Sequence, residues 1–236
     1  MPAVALPLET PEIVISAAGG AVVRRSVLPS GVRVLTEQVP GAASASGGVW
    51  VPVGSRDERE DARGATHFLE HLLFKGTPTR TAFDIAVAFD EVGGEHNALT
   101  AKEHTCYYAK VRDRDLGMAV DVLADMVTSS LLDPDEFERE RDVILEELAM
   151  ADDDPGDVAG ERLSELVHGL VAPLGRPIGG TPESIRAVSR DRVAEHYREH
   201  YDASDLVVTV AGAVDHDTVV EQLQEALGRY GWSLAS

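Results

Sequence analysis

The first half of the chain alternates apolar and polar residues over short runs, a period typical of β-strands with one buried face. Two such runs flank the turn signal Leu28-Pro29-Ser30-Gly31 and predict a hairpin over 21–37. Further strands are predicted at 45–53, 96–101, 104–112 and 206–211.

Apolar positions three and four residues apart predict helices at other places in the chain. Gly76 and Pro78 end the first of them, the pair Gly93-Gly94 ends the second, and Asp215 caps the last. The predicted helices cover 66–74, 81–92, 116–129, 134–150, 158–170, 190–201 and 216–229.

Strands that come first, followed by mixed helices and strands, indicate the α+β class. We expect one largely antiparallel sheet with helices packed against it. One domain is expected over 19–236, preceded by a flexible tail over 1–18, where Pro2, Pro7 and Pro11 disfavour regular structure.

Composition narrows the functional classes. The 236 residues include 41 Asp+Glu against 21 Lys+Arg, a net charge of −20, which argues against nucleic acid or an anionic membrane surface as the main partner. No apolar run approaches the roughly 18 residues of a membrane span. The lone Cys106 excludes an internal disulfide and a cysteine-based zinc cage. Residues 1–20 contain no Lys or Arg, so no secretory signal or mitochondrial presequence is expected and the predicted location is cytoplasmic.

The strongest chemical signal is the string His67-Phe68-Leu69-Glu70-His71 within a predicted helix. Positions i, i+3 and i+4 share one helix face, so both imidazoles and one carboxylate point the same way. Two neutral histidines suit Zn²⁺, and a carboxylate beside the metal can move a proton from water to a leaving amine. This order is the inverted zincin motif, which predicts His67 and His71 as ligands and Glu70 as the general base.

The same pattern recurs at His196-Tyr197-Arg198-Glu199-His200. That copy lies on a charged helix that is expected to be solvated, and Arg198 beside the histidines would repel a dication. The first copy has apolar neighbours such as Leu69 and Leu72, where unpaired His and Glu side chains would cost several kcal/mol unless a metal compensates. Context therefore favours the first copy as the metal site.

A catalytic zinc site needs a third protein ligand, and the predicted helix 134–150 offers several acids. Glu140 and Glu147 lie two turns apart on the face that also carries Ile144. Glu147 as ligand, with Glu140 supporting the site from behind, is the economical assignment. Spacing alone leaves Glu146 as an alternative.

Four strings together resemble the pitrilysin-type zinc peptidases. They are GVWVPVGSR at 48–56, THFLEHLLFKGT at 66–77, GGEHNALT at 93–100 and ERDVILEE at 140–147. The likeness runs from about residue 23 to residue 212, and the bacterial and mitochondrial processing-peptidase branch is the most similar.

The resemblance implies that His67, His71 and Glu147 bind one Zn²⁺ per chain, and that Glu70 acts as base and then as acid. Glu140 would match the second acidic residue that supports the family's site. Asn97 and Ala98 would lie on the strand that pairs with an extended peptide or unfolded protein substrate. His96 departs from the family pattern and is expected to be a surface strand residue, and Lys75 is expected to cap the zinc helix.

Chains of this family continue into a second, similar domain that closes over the site. We therefore expect this chain to work with a second homologous domain or chain, or as a homodimer. The predicted function is a zinc-dependent endopeptidase. The alternatives are a non-catalytic scaffold or partner subunit, and a different zinc hydrolase that uses the same residues. If the acidic excess lines the active-site chamber, basic peptides should be preferred.

Overall fold

One seven-stranded sheet organises the computed structural model, which describes residues 10–169 and 171–232. The order across the sheet is β1-β2-β3-β7-β4-β6-β5, and all neighbouring pairs are antiparallel except β3 and β7. The strands are β1 (Ile13–Ser16), β2 (Val22–Val27), β3 (Arg33–Gln38), β4 (Ser44–Val51), β5 (Glu95–Thr100), β6 (Thr105–Arg112) and β7 (Val207–Gly212). The predicted α+β class and the largely antiparallel sheet are confirmed.

The helices of the described residues follow the predicted sites closely. They are α1 (Ala65–Leu73), α2 (Ala82–Asp90), α3 (Leu116–Ser129), α4 (Pro134–Asp153), α5 (Pro155–His168), α6 (Pro182–Ala187), α7 (Arg190–His200) and α8 (His216–Arg229). Helix α6 was not predicted, although Thr181 followed by Pro182 is a recognisable start of a helix. In the structure Thr181 accepts a hydrogen bond from the backbone N–H of Ser184, and Pro182 occupies the first turn.

Part of the predicted flexible tail belongs to the sheet. Residues 1–9 of that tail lie outside the described part of the chain, but Ile13–Ser16 pair with β2 in the register Ile13↔Arg25 to Ser16↔Val22. Ile13 is buried, and its strand gains both the pairing with β2 and the burial of that side chain. The boundary at residue 18 is therefore wrong for this segment.

Helices cover one face of the sheet, and the buried side chains of the strands alternate toward them. The strand residues on this face include Val34, Val49, Tyr107, Val111, Val208 and Val210, and they meet α3 and α8 in the main core. On the opposite face the strand side chains are mostly exposed or half-buried, with Trp50 Nε1 donating to Thr209 Oγ1 at 2.9 Å. Cys106 is buried there beside Gly48, as expected for a packed residue, and burial raises the pKa of its thiol to about 12.

No helix among the described residues is long and apolar enough to cross a membrane.

Candidate metal centre

Helix α1 presents the first histidine pair at the edge of the core. Phe68, Leu69 and Leu72 are buried, which fixes the helix against the sheet and leaves His67 and His71 on the half-buried side. The two Nε2 atoms lie 3.3 Å apart. The predicted sharing of one helix face is therefore observed for both imidazoles.

Helix α4 brings the third side chain. Phe137 near its start is buried and stacks on Phe68 with ring centroids 4.4 Å apart, which sets how α4 lies on α1. Nearly three turns further along, Glu147 Oε2 lies 3.3 Å from His71 Nε2 and 3.7 Å from His67 Nε2. Ligand atoms of these three residues all lie within 4.8 Å of one another, whereas Glu146 is exposed and does not belong to the group.

Glu140 lies behind His71 and is almost fully buried, with 4% exposure. His71 donates from Nδ1 to Glu140 Oε2 at 2.9 Å, and Lys75 Nζ contacts the other carboxylate oxygen at 2.6 Å. Burial by itself would raise the pKa of Glu140, but the hydrogen bonds from Lys75 and His71 outweigh it and lower the pKa. With the proton on Nδ1, the Nε2 lone pair of His71 points toward Glu147.

The role of Lys75 is a correction to the sequence prediction. It was expected to cap the C-terminus of α1, yet its ammonium group pairs with Glu140 of α4. Lys75 stands just past the end of α1, and its partner lies on another helix, so spacing along the chain does not reveal the pairing.

Glu70 is linked to the edge strand. Thr100 at the end of β5 donates from Oγ1 to Glu70 Oε2, a contact that sequence reasoning did not identify. The hydroxyls of Tyr107 and Tyr201 lie 2.9 Å apart nearby. Burial raises the pKa of both phenols, and the charge of Glu70 raises it further, so both remain neutral.

Strand β5 ends the sheet within the described residues, so one side of its backbone lacks a strand partner there. Asn97 is exposed and Ala98 half-buried, and the backbone N–H of Ala98 donates to Asn97 Oδ1 at 2.8 Å. His96 is not the surface residue that was expected. Its ring stacks on Phe89 at 4.4 Å, and burial lowers its pKa.

The second copy of the motif does not assemble a comparable group of ligand atoms within the described residues. His196 is buried, with Nε2 3.0 Å from Thr66 Oγ1, and the His200 ring lies 4.5 Å from it. The expectation of a solvated helix is therefore wrong for His196. Burial and then the neighbouring His200 lower the pKa of His196 to about 3.

The donor set of the first copy fits a zinc ion. Two imidazoles and one carboxylate are the ligands of one class of catalytic zinc site, in which a fourth position stays open. Burial, followed by the nearby His71, lowers the pKa of His67, so its imidazole is neutral and able to bind a metal at neutral pH. The lone pairs of two imidazole nitrogens and a carboxylate oxygen converge here. A divalent cation would stabilise this arrangement by binding all three atoms.

Comparison with known proteins gives matches over nearly the whole chain. Residues 33–181, which contain every residue of this candidate site, match the family profile described as insulinase (peptidase family M16), and residues 187–234 match a profile described as the peptidase M16 inactive domain. The chain is 52% identical over 209 residues to a Streptomyces coelicolor protein named "uncharacterized zinc protease", covering 89% of this chain and 45% of that protein.

Two further matches extend this picture. The mitochondrial-processing peptidase subunit beta of Saccharomyces cerevisiae is 39% identical over 205 residues, covering 87% of this chain and 44% of that protein. The crystal structure of pitrilysin superposes with a TM-score of 0.81 and 26% identity, covering 97% of this chain and 25% of that chain. The chain thus spans about half the length of the curated relatives it matches, and the predicted family resemblance is confirmed.

Proposed function

The chain belongs to the insulinase family of peptidases, M16, and from this premise we propose that it is the metal-binding domain of a zinc-dependent endopeptidase. Its substrates are peptides or extended protein segments. The observation that carries the proposal is the convergence of His67, His71 and Glu147 within 4.8 Å, with the carboxylate of Glu70 near enough to raise the pKa of His67 against the effect of burial.

In this proposal His67, His71 and Glu147 hold the zinc ion, and Glu140 orients His71 through its Nδ1–H. A zinc ion bound there would polarise the scissile carbonyl and lower the pKa of a water molecule. Glu70 takes a proton from the attacking water and returns it to the leaving amine. The hydrogen bond from Thr100 holds the Glu70 carboxylate beside the end of β5.

The substrate is proposed to bind as an added strand along β5. The free edge supplies backbone groups that bind an extended peptide without demanding one sequence. Asn97 and Ala98 lie in the middle of that edge, three and two residues before Thr100, whose hydroxyl donates to Glu70. A peptide on this edge lies alongside the general base, as strand addition and hydrolysis at one site require.

A second homologous domain or chain is proposed to complete the enzyme. The support is the length comparison, since the chain covers 45% and 44% of the zinc protease and processing-peptidase relatives. The scaffold alternative is less well supported, because the three donors lie together and Glu70 stands on the same helix as the two histidines.

The test is zinc content by plasma emission together with cleavage of an unstructured fluorogenic peptide, with and without the second half of the Streptomyces relative supplied in trans. Glu70→Gln should retain zinc and lose about 10²- to 10⁴-fold in activity. The matched control is Glu199→Gln, the same position in the second motif copy, which should keep full activity. Full activity of Glu70→Gln would contradict the mechanism.

A further inference from the structure

The two proposed histidine ligands are held differently. His71 donates from Nδ1 to Glu140, whereas Nδ1 of His67 is buried and has no hydrogen-bond partner among the described residues. Histidines that bind metals almost always use the second ring nitrogen to fix their orientation. The orientation of the His67 ring therefore depends on the position of the backbone that carries it.

That backbone is the first turn of α1, which lacks an ordinary cap. Helix α1 begins at Ala65, and the N-cap residue Gly64, with φ of 89°, offers no side chain to its free N–H groups. The first four N–H groups of any helix need partners from elsewhere. Here Glu58 supplies two of these partners: it accepts from the N–H of Gly64 and of Thr66, both at 2.8 Å.

Thr66 is also held from the other side. Its side chain is fully buried, and its Oγ1 lies 3.0 Å from Nε2 of His196, the first histidine of the second motif copy. His196 is itself buried and neutral, so a hydroxyl and an imidazole nitrogen share one hydrogen bond. Thr66 immediately precedes His67 in the chain.

Helix α7, which carries His196, is braced against the segment that supplies Glu58. Arg192 pairs with Asp61 at 2.9 Å, and Arg59 approaches Glu195 at 3.9 Å. These ion pairs are exposed and add little stability, but they join the same two segments that meet at Thr66. The second motif copy thus contacts the start of the helix that carries the first copy.

We propose that Glu58, Thr66 and His196 form a clamp that fixes the first turn of α1 and so positions His67 for zinc. The inference rests on the proposed zinc site. It assigns the second motif copy a positioning role for the first, through His196. His200 lies outside the clamp.

The test compares variants of the full chain by zinc affinity, by the visible spectrum of the Co²⁺-substituted protein and by the melting temperature of the apoprotein. Thr66→Val removes the hydroxyl at nearly constant shape and should raise the zinc Kd about tenfold and alter the cobalt spectrum. Thr66→Ser restores the hydroxyl and should remain within about twofold of wild type. His200→Ala is the control on α7 and should also stay within about twofold.

A second pair of variants keeps the clamp testable if Thr66→Val does not fold: His196→Leu should weaken zinc binding more than His196→Gln, which retains hydrogen-bonding groups. A lowered melting temperature with wild-type zinc affinity and cobalt spectrum in the Thr66 and His196 variants would overturn the clamp. Absence of zinc binding by wild type would overturn the proposed metal site and the clamp together, so the two failures are distinguishable.

Discussion

Replacing Glu58 by glutamine should change how the stability of the chain depends on pH. The carboxyl group is only 6% exposed, and burial raises its pKa to about 7 from an ordinary 4.5, although hydrogen bonds from Gly64 and Thr66 oppose the rise. The folded chain therefore holds a proton on Glu58 at pH values where the unfolded chain has released it.

The sign and the size of this pH dependence follow from the difference between the folded and unfolded pKa of Glu58. Because the folded pKa lies above the unfolded one, the contribution of Glu58 to stability is complete below pH 4.5 and is lost as the pH rises through 7. At ~1.4 kcal/mol per pH unit, the interval corresponds to ~3 kcal/mol. Glutamine does not titrate, so the free energy of unfolding of wild type should fall by ~2.5 kcal/mol relative to Glu58→Gln between pH 5 and 8, since part of the interval lies below pH 5.

The assay is urea denaturation followed by circular dichroism at pH 5, 6, 7 and 8 and constant ionic strength. Subtracting the variant from wild type removes the titration of all shared groups. Glu221→Gln, the same substitution at an exposed glutamate of α8, serves as the matched control. A difference for Glu58→Gln that stays constant within about 1 kcal/mol would contradict a raised pKa of Glu58 in the folded chain.

Three further predictions concern the same region. His71→Ala should abolish tight zinc binding and His200→Ala should not, as measured by zinc content after dialysis; equal losses would contradict the choice between the motif copies. Lys75→Met removes the cation that holds Glu140 and should weaken zinc binding about tenfold in a chelator competition, with partial recovery in Lys75→Arg. Phe137→Ala should lower the free energy of unfolding by about 3–5 kcal/mol in urea titrations, since the ring is fully buried between α1 and α4; a loss under 1 kcal/mol would contradict this packing.

The elements around the site could be predicted because their signals are local. The periodic apolar residues of α1 and the Asp133-Pro134 start of α4 lie within the segments they define. The choice between Glu146 and Glu147 could not be made from spacing, because it depends on how α4 is rotated against α1, and the stacking of Phe137 on Phe68 helps to set that rotation.

Apart from α6, the missed features depend on contacts between distant parts of the chain. Strand β1 exists through its pairing with β2, a property that a four-residue pattern does not contain. Lys75 and Glu140 lie 65 positions apart in sequence and meet only when α1 and α4 pack. The burial of His196 likewise follows from the docking of α7 on α1, which its charged sequence did not indicate.

The edge of β5 that has no strand partner among the described residues also has a consequence for how copies of the chain behave together. An unpaired strand edge is a template for self-association, and proteins usually blunt it with proline, a bulge or a cover. An edge that accepts a substrate strand, as proposed for β5, cannot be blocked in these ways. Like-charge repulsion acts at a distance without occupying the edge, and a net charge of −20 gives every copy that repulsion. Salt screens it within about 8 Å at physiological ionic strength. The net negative charge thus also opposes self-association through the edge of β5, and this repulsion weakens as the salt concentration rises.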